Sequence, residues 1–417
     1  MKILSFNSLI VTSSIAASIL LSACGSGDST DGTINPIVPT SITGQLVDSY
    51  VQNADYVCGD GTLGLTDMDG RFTCPSLPVT FQLGALKLGK ISTMPTDAQI
   101  FPQDLLGVDR ADVNNSSVVA MARFLQSCDD DGVKENGLKI RQEIKDSLTA
   151  DVEFDENDID SYTTITVDDD AAVEHLTQTT EFVAALNAAT LVPAAVKEAM
   201  LTTNSTLDQT LKNTLSFMGN EERLAYDVYN KLYETSPSVT QLTNIATKSE
   251  IAHIQAVQLL VKKYITSYDE FTNTDLNELG YKDTQVADMQ AGTYDISELQ
   301  NLYYALVAKG ATSDRDALEV GCMVEVTDIN DLDRDVALAQ AANATDVATT
   351  FEFLRTASYA HYWAFDSGLV AMGETTGCCS LGIIDGVNYC HPEYPQNENG
   401  SDNAGLGDGT GVRRGRQ

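Results

Sequence analysis

Asn220-Glu221-Glu222-Arg223-Leu224-Ala225-Tyr226-Asp227-Val228-Tyr229 and Ser249-Glu250-Ile251-Ala252-His253-Ile254 decide how the second half of this chain is read. The first block lies in an amphipathic stretch from about 211 to Tyr233 that stops before Pro237. Met218, Ala225, Tyr229 and Leu232 recur at helical spacing, and Glu222 falls on the same stripe. A carboxylate there is costly unless it is paired or bound to a metal. The second block sits in a helix expected from Thr240 to Tyr264, where Glu250 and His253, three residues apart, project from one face.

The pattern recurs downstream. A short helix is expected over 297–309 and a longer one from Ser313 to Asp328, on which Leu318, Cys322 and Glu325 share a face. Thr345 to Met372 reads as the last long helix, with Leu354, Ser358, His361 and Phe365 on one side. Each half therefore offers one helix with an inward Glu and one with an inward His. A single histidine or glutamate is ordinary. Here two of the chain's four histidines occupy matching places, while His175 and His391 do not.

This arrangement resembles the ferritin-like four-helix bundle, in which a Glu from each of two helices and a Glu-x-x-His from each of the other two hold two metals. More closely, 217–372 resembles the bacterial family catalogued as domain of unknown function 2202. The resemblance is carried by the two blocks above with Gln255-Ala256-Val257, and by Asp316-Ala317-Leu318-Glu319-Val320-Gly321, Asp328-Ile329-Asn330-Asp331-Leu332 and Ser358-Tyr359-Ala360-His361. It implies Glu222, Glu250, His253, Glu325 and His361 as metal ligands. Ser358 departs from the pattern, standing where a di-iron protein carries its remaining Glu. Asp328, one turn beyond Glu325, is a candidate substitute, and Glu319 is not, because it lies on another face. The implied cofactor is iron, as two ions, and the implied chemistry is oxidation with O2 or H2O2 as an oxidase, ferroxidase or peroxide-reducing protein. Tyr226, Tyr229, Tyr359 and Trp363 are expected to fill the bundle core with their polar tips satisfied. A non-catalytic binding or structural module that keeps the bundle without redox chemistry is the alternative.

The 417 residues carry 60 Asp and Glu against 25 Lys and Arg, a net charge of −35. That excess argues against nucleic-acid binding, which needs a cationic face, and favours cations as partners. Met1-Lys2, the apolar run Leu9 to Leu21 and Leu21-Ser22-Ala23-Cys24 read as an export signal over 1–23. The last four residues resemble a lipobox, which implies Cys24 as a lipidated residue, a membrane lipid anchor and a cell-envelope location, with Gly25 pointing to the outer membrane. Residues 24–40 read as a flexible tether.

Residues 41–165 are expected to form a mainly-β, sandwich-like module with a helical extension. Val79, Phe81, Leu83 and Ala85 alternate onto one face, and helical spacing covers 115–128 and 137–150. The stretch resembles the carboxypeptidase-regulatory type of small β-module, usually a spacer or an adhesive platform. Cys58 and Cys74 flank a strand-turn-strand segment suited to a disulfide. One of Cys378 and Cys379 is placed to pair with Cys390; zinc at these three and His391 is disfavoured by irregular spacing. Cys128 and Cys322 read as buried, unpaired thiols. Asp129, Asp131 and Asn136 offer oxygen donors for calcium, but turn chemistry alone explains them. The acidic run from Asp151 to Asp170 reads as a solvated linker. Residues 166–210 are expected to be a helical linker broken by Pro193, 211–375 the bundle, and 376–417 a Cys-containing, Gly-rich tail with low complexity from Asn397 onward.

Overall fold

The structure, a computed structural model, describes residues 41–265, 284–294 and 296–396. The expected signal (1–23) and tether (24–40), with Cys24, and the expected low-complexity stretch from Asn397 lie outside the described residues. The described residues belong to one compact unit.

The N-terminal region is built on two sheets. In the first, β1 (Ile42–Leu46) is the central strand; β5 (Arg71–Cys74) pairs with it antiparallel and β8 (Gln99–Ile100) pairs parallel. The second runs in the order β10-β7-β6-β3-β4, from β3 (Asp55–Val57), β4 (Leu63–Leu65), β6 (Val79–Leu83), β7 (Leu86–Ile91) and β10 (Val152–Glu153). Short strands β2 (Val51–Gln52) and β9 (Leu138–Lys139) pair separately. Along β6, Val79, Phe81 and Leu83 are buried while Thr80 and Gln82 are half-exposed, the period-two pattern of a strand with one covered face. Ala85 leaves that pattern because the strand ends in a turn at Gly84. Phe72 from one sheet meets Phe81 from the other edge-to-face, with ring centroids 5.0 Å apart. Cys58 and Cys74 are bridged at the margin of this core.

Helices α1 (Pro102–Leu106), α2 (Ser116–Ser127), α3 (Gln142–Ser147) and α4 (Ile159–Tyr162) follow. The second expected helix is shorter than 137–150 because β9 occupies its start. The acidic stretch 151–170 is not a plain solvated linker. Phe154 and Tyr162 pack against Phe124 of α2, Tyr162 edge-on, so its aromatics anchor it despite its charges. Likewise α5 (Asp169–Ala188) and α6 (Ala194–Met200), on either side of Pro193, bury Leu176, Phe182, Val183, Val196 and Met200 in a core shared with the long helices.

Helix α7 (Gln209–Thr235) is capped by the Asp208 side chain, which accepts from Leu211 N–H. The next helix is interrupted: α8 (Thr240–Ile245) and α9 (Ile251–Tyr264) are joined by a π-helical turn at Ala246–Glu250. Helix α10 (Ser297–Gly310) precedes α11 (Asp314–Ala341), which outruns its expected end at Asp328, and α12 (Thr345–Ala371) packs along α11. Gly321 permits this closeness, since a Cβ there would meet the Phe365 ring at 2.3 Å. No helix among the described residues is long and apolar enough to cross a membrane.

The expectation for Cys322 is corrected. It is bridged to Cys378, while Cys379 pairs with Cys390, and Cys128 is the free, buried thiol. Helical spacing showed Cys322 facing inward but could not show that the chain returns after α12 to lay Cys378 beside it. The two bridges hold a short hairpin, β11 (Ile383–Ile384) and β12 (Val387–Asn388), so the first part of the expected tail is ordered.

Candidate metal centre

Three elements converge first. Glu222 comes from α7, Glu250 from the end of the π turn and His253 from the first turn of α9; all are at most 2% exposed. His253 Nδ1 lies 2.9 Å from Glu222 Oε2 and 3.0 Å from Glu250 Oε2. A second group forms around His361 of α12, whose Nδ1 lies 3.3 Å from Glu250 Oε1 and 3.3 Å from Glu325 Oε2 of α11. Within each group the potential ligand atoms lie no more than 4.8 Å apart. Glu250 belongs to both groups, offering one oxygen to each. The two imidazole rings have centroids 5.7 Å apart.

The sequence marked all five residues, but not the sharing of Glu250 or the turn that presents it. Extra-wide π turns in α-helices are frequently found at functional sites. The inserted residue changes the phase between α8 and α9. Nothing in the apolar periodicity of 240–264 announces it.

Neighbouring groups hold the clustered side chains and those beside them. Tyr229, fully buried, donates a short hydrogen bond to Glu325 Oε1. Ser249 Oγ lies 3.4 Å from His253 Nε2. Ser358 Oγ donates to Asp328 Oδ2 at 2.6 Å, so the serine at the departing position ties down the nearby carboxylate. Tyr359 and Trp363 point elsewhere: Tyr359 packs on Tyr394, and Trp363 Nε1–H donates to the carbonyls of Tyr394 and Pro395. Glu319 pairs with Lys309 and Arg315, away from the centre.

Burial pushes the Glu222 carboxyl up to about 7 against the attraction of His253. Burial works against a charged His253, yet Glu222 and Glu250 outweigh it and raise that imidazole well above its ordinary range. His361 is raised for the same reason by Glu325 and Glu250. Without metal, then, protons shared with the imidazoles take the place of cations. Glu222 Oε1 has no hydrogen-bond partner among the described residues, a cost that a bound cation removes. Oxygen and imidazole donors in dry surroundings suit a divalent transition metal.

The acidic loop after α2 is different. Asp129 accepts from the N–H groups of Gly132 and Lys139, and Asp131 accepts from Val133 N–H and Asn136 Nδ2. These carboxylates already close their own turn. His175 is not a ligand either; its Nε2 lies 2.8 Å from Ser49 Oγ.

A family model for an uncharacterized protein domain, DUF2202, matches residues 212–380. An uncharacterized protein of Methanocaldococcus jannaschii is 32% identical over 154 residues, 37% of this chain and 72% of that protein. The chain belongs to the DUF2202 family. The crystal structure of a hypothetical protein from Methanococcus jannaschii aligns at 30% identity over 40% of this chain and 84% of that one, with a TM-score of 0.33. All five clustered residues fall inside the DUF2202 region.

Proposed function

We propose that this chain is an envelope-anchored metalloprotein whose DUF2202 region is a ferritin-like bundle holding two iron ions and oxidising Fe(II) with O2 or H2O2. One observation carries this reading: Glu250 faces both clusters, one oxygen to each, as a carboxylate between two neighbouring metals must. Glu222 and His253 would complete one position, and Glu325 and His361 the other. Bound there, the metals would supply the one-electron chemistry that side chains lack.

The chain's own groups set the conditions. Tyr229 holds Glu325 in one orientation, and the buried walls exclude bulk water. His253 and His361 must give up their extra protons for ions to bind, so affinity falls as pH falls. Lipidation at Cys24 would keep the protein at the outer membrane while leaving the bundle in water.

The test is an anaerobic Fe(II) titration followed by air. Two irons per chain are expected, with oxygen consumed on exposure, and Glu250→Ala should lose both ions at once. One tightly held ion without oxygen uptake would favour the non-catalytic module, which the serine at 358 supports. No bound metal at any ratio would refute the proposal.

A further inference from the structure

Strand β4 is the outer strand of the five-stranded sheet, and it turns its apolar side chains away from the core. Gly64 faces inward, where a Cβ would meet the Tyr56 ring at 2.2 Å. Leu63 and Leu65, on either side of it, therefore point outward and are 74% and 54% exposed. Cross-strand partners share a face, so Leu63, Val57, Thr80 and Lys90 form one outward row across β4, β3, β6 and β7. The row runs from an apolar rim through a hydroxyl to an ammonium group, and Lys90 makes no ion pair among the described residues. Beside it Asp55 is neutralised by Lys145, and Asp60 accepts from the Thr62 N–H and hydroxyl. Strands at a sheet edge are ordinarily blunted by charge; here two leucines stand in its place.

What covers them follows from where the chain enters the sheets. Ile42 pairs with Cys74, Cys74 is bridged to Cys58 at a Cα separation of 5.5 Å, and Cys58 adjoins Val57, the partner of Leu63. These steps put Leu63 within about 20 Å of Ile42. The expected tether, residues 24–40, ends just before Ile42, and a flexible chain of that length has a root-mean-square reach of about 23 Å. A bilayer holding Cys24 thus lies about one tether length from the leucines, and the tether gives a second contact a millimolar effective concentration. The net charge of −35 disfavours anionic lipid, so the matching surface is zwitterionic. The outward backbone of an edge strand needs water, so the leucine tips alone reach the boundary between headgroups and acyl chains, leaving Lys90 level with the phosphates.

We propose that Leu63 and Leu65, with Lys90 behind them, seat the N-terminal sheets on the zwitterionic bilayer that holds the acyl anchor at Cys24. This seat rests on the lipid-anchored reading above and is independent of the metal centre.

Tryptophan emission quenched by brominated lipid tests it. Trp363 is the chain's one tryptophan, so Leu63→Trp in a Trp363→Phe background gives a single reporter, with Ile383→Trp, 72% exposed in the C-terminal hairpin, as its counterpart. The lipidated full chain is mixed with vesicles of phosphatidylcholine brominated near the headgroup end of its acyl chains, and circular dichroism checks folding. Emission from Leu63→Trp should fall about twofold, the depth of an interfacial side chain, and that from Ile383→Trp should not. Adding Leu65→Asp should abolish the quenching while the protein still sediments with the vesicles. Cys24→Ala, without the acyl anchor, should need about a hundredfold more lipid for the same quenching. Sedimentation with the vesicles but no quenching of Leu63→Trp would overturn the seat and leave the anchor standing. Emission already blue-shifted and unquenchable before lipid is added would also overturn it, showing that Ile37 and Val38 of the tether or a second copy covers β4. Protein left wholly in the supernatant would remove the anchor, and the seat with it.

Discussion

The two sheets and the long helices bury very different material. Between the sheets lie Leu46, Phe72, Val79, Phe81 and Leu83, closed by a disulfide; this core gains stability by removing apolar surface from water. Among the helices lie Glu221, Glu222, Glu250, His253, Glu325 and His361, all buried and mostly acidic. An interior of the second kind costs stability in the metal-free chain, so it marks where a ligand has to be accommodated. The first kind needs no ligand to explain it.

The sharpest contrast should come from metal itself. At free-ion concentrations a thousandfold above the dissociation constant, each site adds about 4 kcal/mol of stability. Thermal unfolding should show this shift in the wild type, and Glu250→Ala should abolish it for both sites of the pair. Phe81→Ala, in the apolar core, should cost about 4 kcal/mol in urea denaturation and leave the number of bound metals unchanged. If Phe81→Ala also emptied the centre, the two interiors would not be separable.

A smaller test uses the charged exceptions on the N-terminal side. Burial lowers His175 from 6.5 to about 4, so its neutral state contributes stability that is full above 6.5 and lost as pH falls towards 4. Burial raises Asp48 from 3.8 to about 7, opposed by the Gln126 amide, so its contribution is full below 3.8 and lost as pH rises through 7. The two slopes oppose each other across the shared window, and the wild type should show a shallow profile from this pair. Asp48→Asn should expose the His175 slope, a rise of about 3 kcal/mol from pH 4 to 6.5 at 1.36 kcal/mol per unit. A flat profile in that variant would show that His175 is not held neutral.

How much was legible in the sequence follows from range. Helices α7, α11 and α12, the β6 alternation and the inward Glu and His residues were readable because a period of two or 3.6 is a local property. The burial of Glu221 is not legible in the sequence, because adjacent residues on one helix rarely both face inward. The aromatic anchors Phe154 and Tyr162 were hidden under the charges around them. The Cys322–Cys378 bridge depends on a return path of the chain over a separation of 56 residues, which no local pattern encodes. The partnership of Tyr229 with Glu325 likewise spans two helices.

The wide turn at Ala246–Glu250 has a consequence for change in this segment. Everything before it is set one residue out of step with everything after it. Deleting a single residue from Thr247 to Ser249 would let the helix run straight with Leu242 and Ile245 still on their apolar side, because the widened turn holds one residue more than an α-helical turn does. A deletion within α9, between Glu250 and Tyr264, has no widened turn to absorb it and would swing one part of the helix by about 100° relative to the other, the angle of one α-helical residue. This segment should therefore tolerate the loss of a residue at the wide turn far better than the same loss further along.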